Sequence, residues 1–180
     1  MRTRIRTTLL VLCTLAIACS KDDDLPADPR LAFAGNYESQ EHVAGAAVEG
    51  DDLTTKIIPA DINVSVQLAQ GNQDALEMDL KELVEAVLAA YVTESFSVDF
   101  DGPVIAVIND HSFQLKTTEF LIESNGITPA TLNGEGAFDG NTLHLEYEFS
   151  AESEGITLIF KSIDEIELQK DDSNGTKGQQ

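Results

Sequence analysis

Phe138-Asp139-Gly140-Asn141-Thr142-Leu143-His144-Leu145-Glu146-Tyr147-Glu148-Phe149 is the stretch that decides the fold. Leu143, Leu145, Tyr147 and Phe149 alternate with His144, Glu146 and Glu148. A period of two places the apolar side chains on one face of a β-strand and the polar ones on the other. Asp139-Gly140, followed by Asn141, joins this strand to Phe138. Asp-Gly accepts the positive φ that a two-residue hairpin loop requires. The segment therefore reads as an antiparallel hairpin with one buried and one wet face.

The same alternation recurs outward in both directions. Ile62, Val64, Val66 and Leu68 alternate with Asn63, Ser65 and Gln67. Leu76, Met78 and Leu80 alternate with Glu77, Asp79 and Lys81, and Phe96, Val98 and Phe100 with Ser97 and Asp99. Ile156, Leu158 and Phe160 repeat it, as do Ile166 and Leu168. Val104-Ile105-Ala106-Val107-Ile108 is a continuous apolar strand between Gly102-Pro103 and Asn109-Asp110. Phe113 with Leu115 and Phe120 with Ile122 supply shorter strands. One stretch departs from the rule: Leu80, Leu83, Val84, Val87, Leu88 and Tyr91 recur at helical spacing among Ala, Glu and Lys, which predicts an amphipathic helix over Leu80 to Val92. Its apolar stripe should cap an open barrel end or pack on the sheet. Eight to ten short antiparallel strands with one helix predict a mainly β fold, a barrel or a sandwich, and closing the sheet into a barrel would remove its exposed edges.

The N-terminus carries an address. Arg2, Arg4 and Arg6 precede the apolar run Leu9 to Ile17, in the manner of an export signal. Nine helical residues rise about 14 Å, too short for a permanent span of the ~30 Å hydrocarbon core. Leu15-Ala16-Ile17-Ala18-Cys19 resembles a lipobox, which implies that Cys19 becomes the lipidated first residue of the mature chain. Acylation would also remove a reactive unpaired thiol, and two or more acyl chains anchor stably. Ser20-Lys21-Asp22-Asp23-Asp24 resembles the lipoprotein export signal of Bacteroidota-type bacteria, which implies an outer-membrane protein with its domain on the cell surface. The periplasmic face is the alternative location. The chain thus divides into a signal peptide (1–18), the lipidated Cys19 with an acidic tag and linker (19–30), a β domain (31–170) and a tail (171–180) with no apolar residue, expected to be disordered.

The formal net charge is −21. Removing the signal removes Arg2, Arg4 and Arg6 and no acidic residue, so it becomes −24. Such a surface repels nucleic acid and anionic headgroups and suits solubility, a divalent-cation atmosphere or a basic partner. Beyond Cys19 the mature chain has no cysteine, so hydrophobic burial must hold the domain together without disulfides. The roughly 140 residues between tag and tail suffice for one core.

Phe33-Ala34-Gly35-Asn36-Tyr37 resembles the Phe-x-Gly-x-Tyr opening of calycin-like and lipocalin-like β-barrel domains. Leu132-Asn133-Gly134-Glu135-Gly136-Ala137-Phe138-Asp139-Gly140-Asn141-Thr142-Leu143 resembles the Gly-rich strand and hairpin near the end of such domains in secreted Bacteroidota lipoproteins. The resemblance spans about residues 31 to 170. It implies an up-and-down barrel, of a kind that can hold one small apolar ligand. The helix over Leu80 to Val92 and the absence of Trp depart from the lipocalin pattern.

No catalytic constellation is legible. His42, His111 and His144 lack metal-type spacing. Ser112 beside His111 is an adjacency without a nucleophile motif. Gly134-x-Gly136 lacks a third Gly and enters a strand, unlike a phosphate loop. Asp99, Asp101 and Gly102 resemble the start of a calcium loop whose remaining ligands are missing. Carboxylate pairs abound, with nothing to single out one for glycoside hydrolysis. Tyr37, Phe96, Phe100, Tyr147 and Phe149 are candidates for a pocket lining, although strand spacing reads more simply as core. No cofactor, metal or catalytic residue is expected. The reading is a membrane-anchored, non-catalytic binding module for a small apolar ligand or a protein or glycan partner. A structural accessory subunit of an outer-membrane complex is one alternative, and a hydrolase with an unrecognised site is another.

Overall fold

The computed structural model describes residues 28–39, 43–49, 52–58, 61–153 and 155–171. Cys19, the signal, the acidic tag, His42 and the tail beyond 171 lie outside the described residues. After a 3-10 turn at Pro29–Ala32, the elements are β1 (Gly35–Ser39), β2 (Val43–Glu49), β3 (Asp52–Ile58), β4 (Asn63–Leu68), β5 (Ala75–Asp79), α1 (Lys81–Tyr91), β6 (Ser97–Phe100), β7 (Val104–Asn109), β8 (Ser112–Leu115), β9 (Thr118–Glu123), β10 (Ile127–Asp139), β11 (Thr142–Ser153), β12 (Ile156–Ser162) and β13 (Ile166–Lys170).

Eight of these strands close a barrel in the order β1–β4–β5–β7–β8–β10–β11–β13 and back to β1, every pairing antiparallel. The order follows the chain, so the barrel is the expected up-and-down meander. The other five strands and α1 are inserted at alternate connections, and those connections all lie at one end of the barrel. The opposite end, here called the base, carries short turns: residues 69–74, Asp110-His111 and Gly140-Asn141. Asp110 (φ 60°) and Gly140 (φ 59°) supply the left-handed backbone there. Both ends of the described chain also leave at the base.

The hairpin quoted at the outset does double duty. β10 and β11 are 13 and 12 residues long. Their halves next to the turn close the barrel against β8 and β13. Their far halves rise beyond it and pair with β9 and β12. This builds a second, seven-stranded sheet, β6–β9–β10–β11–β12–β2–β3, above the barrel. The inner side of β10 is glycine where the ribbon leaves the barrel. A Cβ on Gly136 would sit 2.0 Å from His144 O and 2.6 Å from Phe113 Cζ, and one on Gly134 would sit 2.6 Å from Glu146 O. Only glycine permits so close a backbone approach.

The helix forms where its periodicity places it, between Leu80 and Val92. Leu80 has no capping side chain, and Asp79 Oδ1 instead accepts from Lys81 N at 3.1 Å. Leu83, Val84, Val87 and Leu88 are buried, and α1 packs against β3, β6 and β4. It therefore touches both edge strands of the upper sheet and covers its inner face.

Two aromatic clusters fill the interior. At the base, Phe33 stacks on Phe138 at 4.6 Å, with Phe113 and Tyr37 beside it. Tyr37 Oη donates to Phe33 O at 2.8 Å. The Phe33…Tyr37 motif thus folds back on itself as a plug. Arg30 locks that plug by donating to Ala75 O at 2.9 Å and to Asn72 O, while it pairs with Asp28. Beneath α1, Phe149 stacks on Phe160 at 4.8 Å and meets Phe120, which stacks on Phe100. Tyr91 meets Phe160 edge-on.

Candidate binding trough

Three hollows lie in line on the outer face of the β10–β11 ribbon. The lowest, about 530 Å³, lies beside Ser112, Gln114, Glu135, Glu146 and Glu165. The middle one, about 740 Å³, shares Val107, Gln114, Glu135 and Glu146 with it and adds Lys116, Thr117, Asn133, Glu148 and Lys161. The upper one, about 590 Å³, is bounded by Asp99, Asp101, Glu119, Leu121, Pro129, Thr131, Ser150, Glu152 and Thr157. Their lining includes the outward positions of one alternation on β10 and β11, Glu135, Asn133, Thr131, Pro129 and Glu146, Glu148, Ser150, Glu152, with inward residues such as Gly134 and Ala151 reached between them. The side chains that the hairpin's period of two turns away from the core therefore form the floor of one trough.

The trough exists because both ribbon strands change partners midway. On β11, pairing with β13 stops at Leu145 and pairing with β12 starts at Glu148. Ser162 Oγ accepts from Tyr147 N at 3.3 Å in the gap. On β10, pairing with β9 stops at Leu132 and pairing with β8 starts at Glu135. Thr117 Oγ1 meets Asn133 Oδ1 at 2.6 Å across that fork. Each fork parts the flanking strands and opens the middle hollow. Higher up, Thr131 and Ser150 share a hydrogen bond across the floor at 3.0 Å.

Eight acidic side chains line the three hollows, against the two lysines Lys116 and Lys161. Val107 and Leu121, 38% and 37% exposed, add an apolar element. Phe120 is the one aromatic residue in the upper hollow's lining, and its ring is buried. Tyr147 in the middle hollow's lining and Phe113 in the lowest are buried as well, so the trough offers hydrogen-bond acceptors and negative potential, and little ring surface.

The residues singled out from the sequence are scattered. Asp99 and Asp101 sit at the rim of the upper hollow. Gly102, at φ 101°, turns the chain away next to them. Among the described residues no three His, Cys, Asp or Glu side chains converge as metal ligands do. His111 lies in the exposed base turn, Nδ1 3.0 Å from Asp110 Oδ1, and Ser112 Oγ donates to Asn109 O instead. His144 faces outward with Nδ1 3.1 Å from Glu165 Oε2. Of the aromatic pocket candidates, Tyr37, Tyr147 and Phe149 are buried in the core and Phe100 stacks on Phe120. Phe96 packs half-buried against the core. The trough itself went unseen in the sequence. Its one signal there was the run of outward residues 144, 146 and 148, which reads as an ordinary solvated face until the ribbon's change of partners hollows it.

No protein-family model matches the chain, and no curated protein matches it. A solved structure resembles it: the crystal structure of a protein from Bacteroides fragilis described as a candidate outer membrane protein. The two are 16% identical with a TM-score of 0.44, and the match covers 78% of this chain and 52% of that one. The chain thus spans about half the length of that protein.

Proposed function

We propose that the protein is a lipid-anchored, non-catalytic binding module of the outer membrane, and that its trough takes an extended, lysine- or arginine-rich segment of a protein partner. The observation that carries this reading is the trough on the outer face of β10–β11, with eight carboxylates to two lysines. The nine residues of β10 from Pro129 to Ala137 that bound the trough span about 30 Å, room for an extended segment of about nine residues. Charge of one sign in a concave surface concentrates and steers the opposite charge. A glycan is the weaker candidate, because it favours exposed rings to stack on. The barrel interior leaves a small apolar ligand little room, since Tyr37, Leu76, Met78, Phe138 and Leu143 fill it.

The anchoring part of the proposal rests on the lipobox at Cys19 and the acidic tag. It fits a fold whose N-terminal end leaves from the base, because the upper sheet then points away from the bilayer. The kinship to calycin-like domains belongs to the same proposal and rests on Phe33…Tyr37. Acyl labelling of the full chain tests the anchor: Cys19→Ala should abolish incorporation, and equal labelling without the cysteine refutes it. Protease treatment of intact cells tests the location, since complete protection places the domain inside. For the trough, a nine-residue Lys/Arg-rich peptide should bind the full-length protein and weaken steadily with salt. Glu135→Lys with Glu148→Lys should weaken it about tenfold or more, by loss of two attractions and gain of two repulsions. Binding that ignores both substitutions would remove the trough from consideration.

A further inference from the structure

We propose that β3 pairs with the β3 of a second copy of this chain, antiparallel and centred on Thr55. Among the described residues, β3 ends the upper sheet: β2 pairs with one side of it and no strand with the other. The opposite edge of that sheet, β6, is only four residues long, carries the exposed Asp99 and runs into Gly102-Pro103. Short length, charge and proline are how sheets blunt their edges. β3 also carries charge, at Asp52 and Lys56, and is followed in the sequence by Pro59, but it is seven residues long, Asp52-Leu53-Thr54-Thr55-Lys56-Ile57-Ile58, rich in β-branched side chains, and it exposes Leu53 and Ile57.

The phase of its backbone is fixed by Tyr91. Tyr91 Oη donates to Gly45 O at 2.6 Å and accepts from Lys56 N at 3.1 Å. One hydroxyl reaches both groups only if they face each other across the β2–β3 ladder, where Gly45 opposes Lys56. Successive residues of a strand turn their backbone groups to opposite sides. The N–H and C=O groups of Leu53, Thr55 and Ile57 therefore point away from β2, along the edge.

A two-fold axis through Thr55 sets Thr55 against Thr55, Leu53 against Ile57 and Ile57 against Leu53. Those are the three residues whose backbone groups face out, so each pair exchanges both of its hydrogen bonds. Their side chains share one face and are exposed, Leu53 by 64% and Ile57 by 70%. Each leucine would meet an isoleucine of the partner, with threonines between them, the kind of cross-strand pair that stabilises sheets. On the other face Thr54 stands against Lys56 and Asp52 against Ile58, so no like charges are directly opposed. The surface is self-complementary, as a two-fold contact demands. The chain's net charge of −21 opposes association at long range, so salt should strengthen this contact. Salt dependence thus separates it from capture of a cationic segment, which salt weakens.

Thiol cross-linking of the full-length protein in its own membranes tests the register. Opposed Cα atoms at Thr55 would lie about 5.5 Å apart, within disulfide reach, whereas Leu53 would lie about 14 Å from the partner's Leu53. Mild oxidation of Thr55→Cys should give a covalent dimer of twice the chain mass. Leu53→Cys or Ile57→Cys alone should give about fivefold less or none, and the two co-expressed should restore it. The unsubstituted chain controls for Cys19. Equal yields at the three positions, no dimer at Thr55, or a product with a different chain would each overturn the proposal. Sedimentation of the full chain in detergent supplies a second readout. The dimer fraction should rise with salt and fall with Thr55→Pro, whose lost N–H is not part of the β2 ladder. A monomer at every salt concentration would also overturn it.

Discussion

At the residue scale, Gly134 and Gly136 of β10 serve a different need from Gly140 in the turn. Gly140 is needed for its positive φ, and nothing lies within 4 Å of the Cβ it lacks. Gly136 is needed for space, because its Cβ would overlap His144 O and the Phe113 ring. We expect Gly136→Ala to lower stability by more than about 2 kcal/mol, since backbone must move to relieve the overlap. Gly140→Ala should cost about 1 kcal/mol, the ordinary strain of a left-handed turn. Urea unfolding of the two variants checks the order, and equal losses would show that the ribbon has slack at Gly136. The glycines are visible in the sequence, but which constraint each one serves depends on what lies across the strand.

At the element scale, α1 is tied to the hairpin β2–β3 through Tyr91, which spans Gly45 O and Lys56 N from above while its ring meets Phe160. Lys56 returns the contact, its Nζ over the Tyr91 ring and bonded to Ala90 O. Tyr147, buried close by, has no hydrogen-bond partner for its hydroxyl among the described residues. The two tyrosines should respond differently to loss of that oxygen. Tyr91→Phe should destabilise by about 1 kcal/mol, and Tyr147→Phe should be neutral or stabilising, because it removes a desolvated group that nothing compensates. Thermal melts of the pair decide it; a Tyr147→Phe loss as large as that of Tyr91→Phe would reveal a partner for the buried hydroxyl. Among the elements themselves, α1 and the strands with strict alternation were legible. β2–β3 was not, because nearly all of β3 is exposed on both faces and β2 is mostly Ala, Gly and Val. The first half of β10 was hidden by Pro129 and by the shortness of its apolar alternation.

At the scale of the whole molecule, the phenols buried in the barrel and beneath α1 link stability to alkaline pH. Burial pushes Tyr37 up to about 12 and raises Tyr147 further in the same direction. The folded state prefers the neutral phenol, so this contribution is complete below the ordinary tyrosine range near 10 and drains away as pH climbs from about 10 through 12. For Tyr37 the loss approaches about 2–3 kcal/mol at the top of that window. Melting temperatures recorded between pH 8 and 11.5 should hold level to about 10 and then fall, with a smaller fall in Tyr37→Phe. A flat profile would mean that the unfolded chain shelters these rings as well as the barrel does.

The chain by itself determined which residues are buried and with what period. Alternation is written into each strand locally, since a side chain's face follows from its position alone, and so the β class, the hairpin at Asp139-Gly140 and the helix over Leu80 to Val92 could be read directly, whereas alternation alone left barrel and sandwich open and only the resemblance carried by Phe33 to Tyr37 and Leu132 to Leu143 pointed to the barrel. Which strands pair beyond the hairpin turns is a long-range matter. It is set by where Gly134 and Gly136 let two backbones approach, by the forks at Asn133 and Tyr147, and by the space that α1 must fill. Only the tertiary structure could therefore decide that one ribbon serves both barrel and upper sheet, that its wet face becomes an acidic trough, and that β3 is left with an open edge.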